Sequence, residues 1–181
     1  MRQPSIFLLT FATIFILSAP AYSAVRGGID YSIPIDYSKL SEPNLASKAT
    51  DAYNKALLAD NKDTEEMTNA LMLYSILKNM NPTNIDYSVK LGILYDKIEL
   101  DKYAKGNLAR AIGINPSAPE PYFYMGEFYY KREFYRKALK YYLMAYDRGF
   151  QTHPKTFERL SDIYKKFGDS EALQKIDSPT P

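Results

Sequence analysis

The sequence contains no cysteine and no tryptophan, only one histidine, and eight glycines. Without cysteine the chain cannot form disulfides, thiolate metal sites or a cysteine-linked lipoprotein anchor. The single histidine, His153, cannot build a histidine metal cluster or a catalytic triad with the residues around it. The glycines are scattered, so no phosphate-binding loop is present. These absences predict a protein without a metal or cofactor, and not an enzyme.

The chain also has little net charge. Lysine and arginine number 23 against 21 aspartates and glutamates, for a formal charge of +2. A nearly neutral chain lacks the broad positive field that nucleic-acid binding normally requires. We therefore expect no nucleic-acid partner.

The N-terminus has the pattern of a secretory signal peptide over residues 1–23. Arg2 precedes an apolar run from Ile6 to Leu17, and small residues follow, so that cleavage after Ala21 and cleavage after Ser23 are both acceptable. The run is shorter than the roughly 20 residues that span a bilayer. We expect export to the periplasm or another extracytoplasmic space, and the alternative is an uncleaved anchor that tethers the chain to the membrane.

Composition divides the rest of the chain into three parts. Residues 24–40 are rich in glycine and proline and are expected to form a flexible linker. Residues 41–177 have helical periodicity and the length of one domain. Residues 178–181 contain two prolines and are expected to be a disordered tail.

Seven positions of matching character recur after 34 residues in the centre of the chain. The first set is Leu91, Gly92, Tyr95, Ala104, Leu108, Ala111 and Pro116, and the second is Met125, Gly126, Tyr129, Ala138, Tyr142, Ala145 and Phe150. A fixed period of this length is typical of a solenoid, in which each unit buries its apolar face only by stacking on its neighbours. The pattern therefore favours a protein that holds other molecules.

Local signals place the ends of the helices. Helices are expected to begin after Ser41, at Asp63 or Thr64, and after a capping box formed by Ser117 and Glu120. The expected ends are Asn81-Pro82, Asn115-Pro116, Gly149 and Gly168. A short last helix is expected to reach about Asp177.

These residues resemble the tetratricopeptide repeat, a unit of two antiparallel helices. The match is closest for Tyr122-x-x-Met125-Gly126-x-x-Tyr129 with Ala138 and Tyr142. The first unit is degenerate, because Leu58 stands where glycine belongs and Asn61 where tyrosine belongs. The resemblance implies an all-α, right-handed α-solenoid of about three and a half repeats, in which Gly92 and Gly126 let the paired helix approach closely.

In this family the first helix of each pair lines a concave groove that holds peptides. The resemblance implies a groove formed by Lys55, Ala59 and Lys62, by Val89, Ile93 and Asp96, by Phe123, Glu127 and Tyr130, and by Glu158, Asp162 and Lys165. A protein or peptide partner would then rest its apolar centre on Ile93, Phe123 and Tyr130. The carboxylate clamp of the heat-shock co-chaperones is missing, since Glu120 and Tyr124 stand where it needs cations.

Two other interpretations remain open. Five cations lie among aromatic residues, namely Lys131, Arg132, Arg136, Lys137 and Lys140. They form either a solvated outer face or, in a membrane-tethered scaffold, a basic convex face for anionic lipid. The carboxylate pair of Asp96 and Glu127 could perform acid–base chemistry. The resemblance also implies roles in envelope, secretion or pilus assembly, and no residue selects an oligomeric state.

Overall fold

Helices account for nearly all of the structure described by this computed structural model, which covers residues 41–60, 62 and 64–177. The signal peptide, the linker and the tail predicted for residues 1–23, 24–40 and 178–181 lie outside the described residues. The eight α-helices are α1 (Glu42–Leu58), α2 (Glu65–Met80), α3 (Ile85–Lys97), α4 (Asp101–Ile114), α5 (Glu120–Tyr130), α6 (Tyr135–Tyr146), α7 (Pro154–Phe167) and α8 (Ser170–Asp177). No strand occurs in these residues, which confirms the all-α prediction.

Most helix ends agree with the sequence signals. The Thr64 hydroxyl accepts a hydrogen bond from the Met67 N–H at 3.1 Å and caps α2. Gly149 and Gly168 take left-handed φ angles of 109° and 69° after α6 and α7. The capping box at Ser117 is wrong, because α5 begins at Glu120 itself and the Ser117 N–H donates to Asn115 Oδ1 at 3.1 Å.

The helices pack as successive hairpins. α1 packs on α2, α3 on α4 and α5 on α6, and each hairpin packs on the next through α2–α3, α4–α5 and α6–α7. α3 also contacts both α1 and α5, so the first helices of the hairpins form a continuous inner wall. None of the helices described here combines the length and the apolar character that a membrane crossing requires.

The buried positions follow the 34-residue period. Ala70, Ala104 and Ala138 are fully buried, one in each second helix. A Cβ atom on Gly92 would lie 2.7 Å from Leu108 Cγ, and one on Gly126 would lie 2.6 Å from Tyr142 Cδ1. The close approach of the paired helices at the two glycines is therefore confirmed.

The first hairpin departs from the period in α1. The sequence register places Leu57 and Leu58 at the contact with α2, but Leu58 is 85% exposed and Leu57 also reaches solvent. The buried residues of α1 are Leu45, Ala49, Tyr53 and Ala56, which follow one another at the helical spacing of three or four residues. The register fails because Leu57 and Leu58 are the last two residues of α1, whereas the residues aligned with them in α3 lie in the middle of the helix.

Candidate functional site

A small pocket opens on the inner wall between α3 and α5. Its volume is about 70 Å³, and its lining residues are Gly92, Ile93, Asp96, Leu108, Tyr124, Glu127 and Lys131. We call it the inner-wall pocket. The structure thus brings together three residues that the sequence placed in the groove, namely Ile93, Asp96 and Glu127. Tyr124, Leu108 and Lys131 complete it.

Cations surround the carboxylate of Asp96 at one side of the pocket. Its side chain is 8% exposed, and it pairs with Lys131 and, at 2.7 Å, with Arg132 Nη1. Arg132 also binds both carboxylate oxygens of Asp101, with its Nε 3.0 Å from Oδ2, and its Cζ lies 3.7 Å from the centre of the Phe128 ring. The hydrogen bond from Arg132 lowers the pKa of the Asp101 carboxyl. The Asp96 charge is therefore neutralised within the protein.

The second carboxylate of the pocket, Glu127, is held in a different way. It accepts hydrogen bonds from Arg159 Nε at 2.7 Å and from the Tyr142 hydroxyl at 2.5 Å. Burial raises the pKa of Glu127, but the hydrogen bonds from Arg159 and Tyr142 outweigh it, and the net pKa is lowered. Glu127 is therefore ionised and paired, which leaves the pocket without a free carboxylate for acid–base chemistry.

A more polar surface adjoins the pocket toward the start of α3 and α5. Lys90 Nζ lies 3.8 Å from Asp86 Oδ1 and 4.8 Å from the centre of the Tyr53 ring. Burial raises the pKa of the Glu120 carboxyl, the nearby Lys90 lowers it, and Asp86 raises it. The surface of the inner wall is therefore charged at the start of α3 and α5, and its unpaired part becomes apolar at the inner-wall pocket.

Two residues predicted to line the groove lie in the interior. Val89 is fully buried and Phe123 is 3% exposed. The Phe123 ring lies 5.8 Å from the Phe150 ring and 4.7 Å from the His153 ring, so it packs toward the segment before α7. The prediction that Val89 lines the groove and that a partner rests on Phe123 is wrong, because both side chains are buried.

The basic end predicted for the groove also differs from the structure. Lys55 is exposed on α1, whereas Lys62 lies beyond the end of α1 and forms an ion pair with Glu99 at 2.5 Å. Ala59 likewise follows the last residue of α1. Lys62 and Ala59 therefore belong to the connection between α1 and α2 and do not extend the helical wall.

The last predicted stripe lies where α5 meets α7. The Tyr130 hydroxyl donates to Asp162 Oδ2 at 2.5 Å, and this hydrogen bond raises the pKa of Tyr130 to about 12. Glu158 is exposed and pairs with Arg159 at 3.0 Å, and Lys165 is exposed at the end of α7. Tyr130 and Asp162 therefore form a contact between hairpins, while Glu158 and Lys165 lie at the surface.

The sequence analysis named Tyr124 and Lys131 but did not place them among the residues of the predicted groove. Tyr124 lies on the same face of α5 as Glu127, three residues before it, and Lys131 follows the end of α5, four residues after Glu127. The clamp comparison had already placed Tyr124 on the inner wall, and the same spacing would have added Lys131. Lys131 and Arg132 also leave the proposed basic outer face, because both are paired with Asp96.

Solved structures share this arrangement of helices. MamA from Desulfovibrio magneticus RS-1, from residue 41 to its end, has a TM-score of 0.59 at 17% identity and matches 77% of this chain and 76% of its own. The Arabidopsis OM64 TPR domain has a TM-score of 0.57 at 14% identity over 68% of this chain and 94% of its own. PilF from Pseudomonas aeruginosa has a TM-score of 0.57 at 14% identity over 74% of this chain and 60% of its own.

The chain has the tetratricopeptide repeat fold. Neither a family model nor a curated protein matches the sequence.

Proposed function

We propose that the chain is an exported, non-enzymatic scaffold that binds a peptide segment of a partner protein along its inner wall. The observation that carries the proposal is the inner-wall pocket. Its carboxylates are already paired with Lys131, Arg132 and Arg159, so its free surface is the apolar part around Ile93 and the Tyr124 ring. A volume of about 70 Å³ accommodates a small aliphatic side chain. The partner therefore presents an uncharged aliphatic residue to this pocket.

The polar surface beside the pocket gives the peptide a direction. Asp86, Lys90 and Glu120 offer both signs of charge at the start of α3 and α5. An acidic peptide terminus would meet the Glu120 carboxylate there and be repelled. The partner segment is therefore expected to place neutral or basic residues next to its aliphatic anchor.

The test is site-specific photocrosslinking of the full chain in its own cells. A photoreactive residue replaces Ile93 in the inner-wall pocket. In the matched control it replaces Ala109, which is exposed on α4, the second helix of the same hairpin. We expect one partner segment to crosslink from position 93 and not from position 109. The variant Ile93→Asp should lose that partner in a pull-down while its circular dichroism is unchanged. Identical crosslinks from both positions, or undiminished capture by Ile93→Asp, would contradict the proposal.

Export is the second part of the proposal and rests on residues 1–23. N-terminal sequencing of the protein from fractionated cells should find Tyr22 or Ala24 as the first residue, in the extracytoplasmic fraction. Recovery of the chain with Met1 in the membrane fraction would favour the membrane-tethered scaffold instead. A role in envelope, secretion or pilus assembly belongs to the same proposal and depends on export.

A further inference from the structure

A second open pocket lies at the turn between α5 and α6. It has a volume of about 320 Å³ and is lined by Glu133, Phe134, Tyr135, Arg136, Lys137 and Phe167. We call it the turn-edge patch. Phe134 is 54% exposed and Phe167 is 44% exposed. Two phenyl rings at the ends of neighbouring helices thus present apolar surface to solvent.

Cations surround these two rings. Arg136 and Lys137 line the patch, and Lys137 Nζ lies 5.3 Å from the Phe134 ring centre. Lys166, which precedes Phe167 in the chain, has its Nζ 5.3 Å from the Tyr135 ring centre. Glu133 is the carboxylate among the lining residues, and Asp162 lies next to Lys166. Asp162 already accepts the Tyr130 hydroxyl and lies 3.6 Å from Lys166, and Asp169 Oδ1 accepts the Ala172 N–H at 3.0 Å. The lining of the patch therefore contains two cations and one carboxylate.

The first turn of α6 adds to this positive field. α2 begins with Glu65 and Glu66 and α4 begins with Asp101, whereas the first turn of α6 contains Arg136 and Lys137 and no acidic residue. Cations at the N-terminus of a helix oppose the helix dipole, and an anion at the same place is favoured. The charge of the patch is therefore complementary to an anionic surface.

We propose that the turn-edge patch docks on the surface of an anionic lipid bilayer. Phe134 and Phe167 enter the boundary between headgroups and acyl chains, while Arg136, Lys137 and Lys166 bind lipid phosphates. Exposed aromatic rings among long cationic side chains suit a fluid anionic interface, which needs no fixed hydrogen-bond pattern. The patch is formed by the α5–α6 turn and the end of α7, so this docking is independent of peptide binding at the inner wall.

The absence of tryptophan from the chain gives a site-specific test. Full-length Phe134→Trp and Phe167→Trp each carry one fluorophore in the patch, and Phe157→Trp is the matched control, since Phe157 is 38% exposed near the start of α7. Vesicles contain phosphatidylcholine alone or mixed with phosphatidylglycerol. We expect a blue shift and quenching by brominated lipid for the two patch variants with phosphatidylglycerol only, and no change for Phe157→Trp. The N-terminal apolar run is common to all three variants and cannot distinguish them.

Charge reversal in the patch provides the second part of the lipid-binding test. Arg136→Glu with Lys137→Glu in the Phe134→Trp chain should weaken the lipid response at least about tenfold, since each cation near an anionic surface contributes about 1 kcal/mol. Circular dichroism and thermal melting verify that the variants fold. An equal response with phosphatidylcholine alone, an equal response at position 157, or no response at position 134 in the folded protein would overturn the proposal. A response to an acidic protein but not to vesicles would overturn it in favour of a protein interface.

Discussion

The second and third hairpins, α3–α4 and α5–α6, solve the same packing problem with different chemistry. In both, a glycine of the first helix meets a large side chain of the second, Leu108 against Gly92 and Tyr142 against Gly126. Ile93 follows the first glycine and Glu127 follows the second. The pair in the second hairpin is thus apolar, while in the third hairpin the Tyr142 hydroxyl donates to the Glu127 carboxylate.

This difference shows how one repeat frame supports both a binding surface and a structural link. Neither Leu108 nor Ile93 has a polar side-chain atom, so together they form the apolar wall of the inner-wall pocket. Glu127 is bound by Tyr142 and by Arg159 of α7, so it joins the third hairpin to the next helix. In the second hairpin, that link is made separately, by Asp96 with Lys131 and Arg132.

Enlarging the two glycines should give the largest effects and should differ between the hairpins. Gly126→Leu is expected to lower the free energy of unfolding by about 3 kcal/mol and Gly92→Leu by about 2 kcal/mol. The Tyr142 ring is fixed at its hydroxyl by Glu127 and cannot move aside, whereas the end of the Leu108 side chain can. Urea unfolding measures both.

Gly106 is the matched control for these two variants. It lies inside α4, and an added Cβ would meet nothing within 4 Å. Gly106→Ala should therefore raise stability by about 0.5–1 kcal/mol, because alanine loses less backbone entropy in a helix. If Gly92→Leu, Gly126→Leu and Gly106→Ala all change the free energy of unfolding by the same amount, the packing explanation is wrong.

Glu127→Gln should have the next largest effect, a loss of about 2 kcal/mol at pH 7, because a hydrogen-bonded charge pair with Arg159 is lost. The lowered pKa of Glu127 makes this contribution depend on pH. A carboxyl whose pKa is lower in the folded chain stabilises it above the ordinary value of 4.5, and this stabilisation disappears as the pH falls through the folded pKa. The difference between wild type and variant should therefore shrink below about pH 4.5.

The control is Glu158→Gln, which removes a carboxylate that also pairs with Arg159 but has a side chain 64% exposed. Its loss at pH 7 should be at most about 0.5 kcal/mol because exposed ion pairs contribute little. Urea unfolding at pH 7 and pH 4 compares the variants. A constant difference for Glu127→Gln at both values would show that its ionisation does not stabilise the fold.

The fold could be predicted from the sequence because small residues recur at the 34-residue period. Only a small side chain fits where two helices touch, so Ala104, Ala138, Gly92 and Gly126 identify the contacts directly. The contact residues of α1 could not be predicted from the period in the same way. Its small buried residues, Ala49 and Ala56, do not coincide with the period, and the longer connection after Leu58 is not visible as a change of composition.

The candidate site was less predictable because the central first helices are covered on most sides. α5 contacts α3, α4 and α6, so its apolar residues extend around much of its circumference. Periodicity alone could not tell that Phe123 faces the next hairpin whereas Tyr124, its neighbour, faces the pocket. Ile93, Asp96 and Glu127 line one pocket, but the ion pairs of the two carboxylates involve Arg132 and Arg159, which come from other helices and turns.

Apart from the Glu158→Gln control, Arg132→Lys should give the smallest loss, about 0.5–1 kcal/mol. It distinguishes the link through Asp96, which two cations share, from the link through Glu127 and Arg159. Lysine keeps the charge but loses the planar fork that binds Asp96 and Asp101 and the stacking over the Phe128 ring. Lys131 still pairs with Asp96 in this variant, whereas Glu127→Gln leaves Arg159 without its buried carboxylate. Because Asp101 is half exposed, added salt should reduce the effect of Arg132→Lys more than that of Glu127→Gln. If urea unfolding shows a loss for Arg132→Lys that equals or exceeds the loss for Glu127→Gln, the Asp96 link depends on Arg132 alone. The proposed difference between the Asp96 link, which Lys131 and Arg132 share, and the Glu127–Arg159 link would then be wrong.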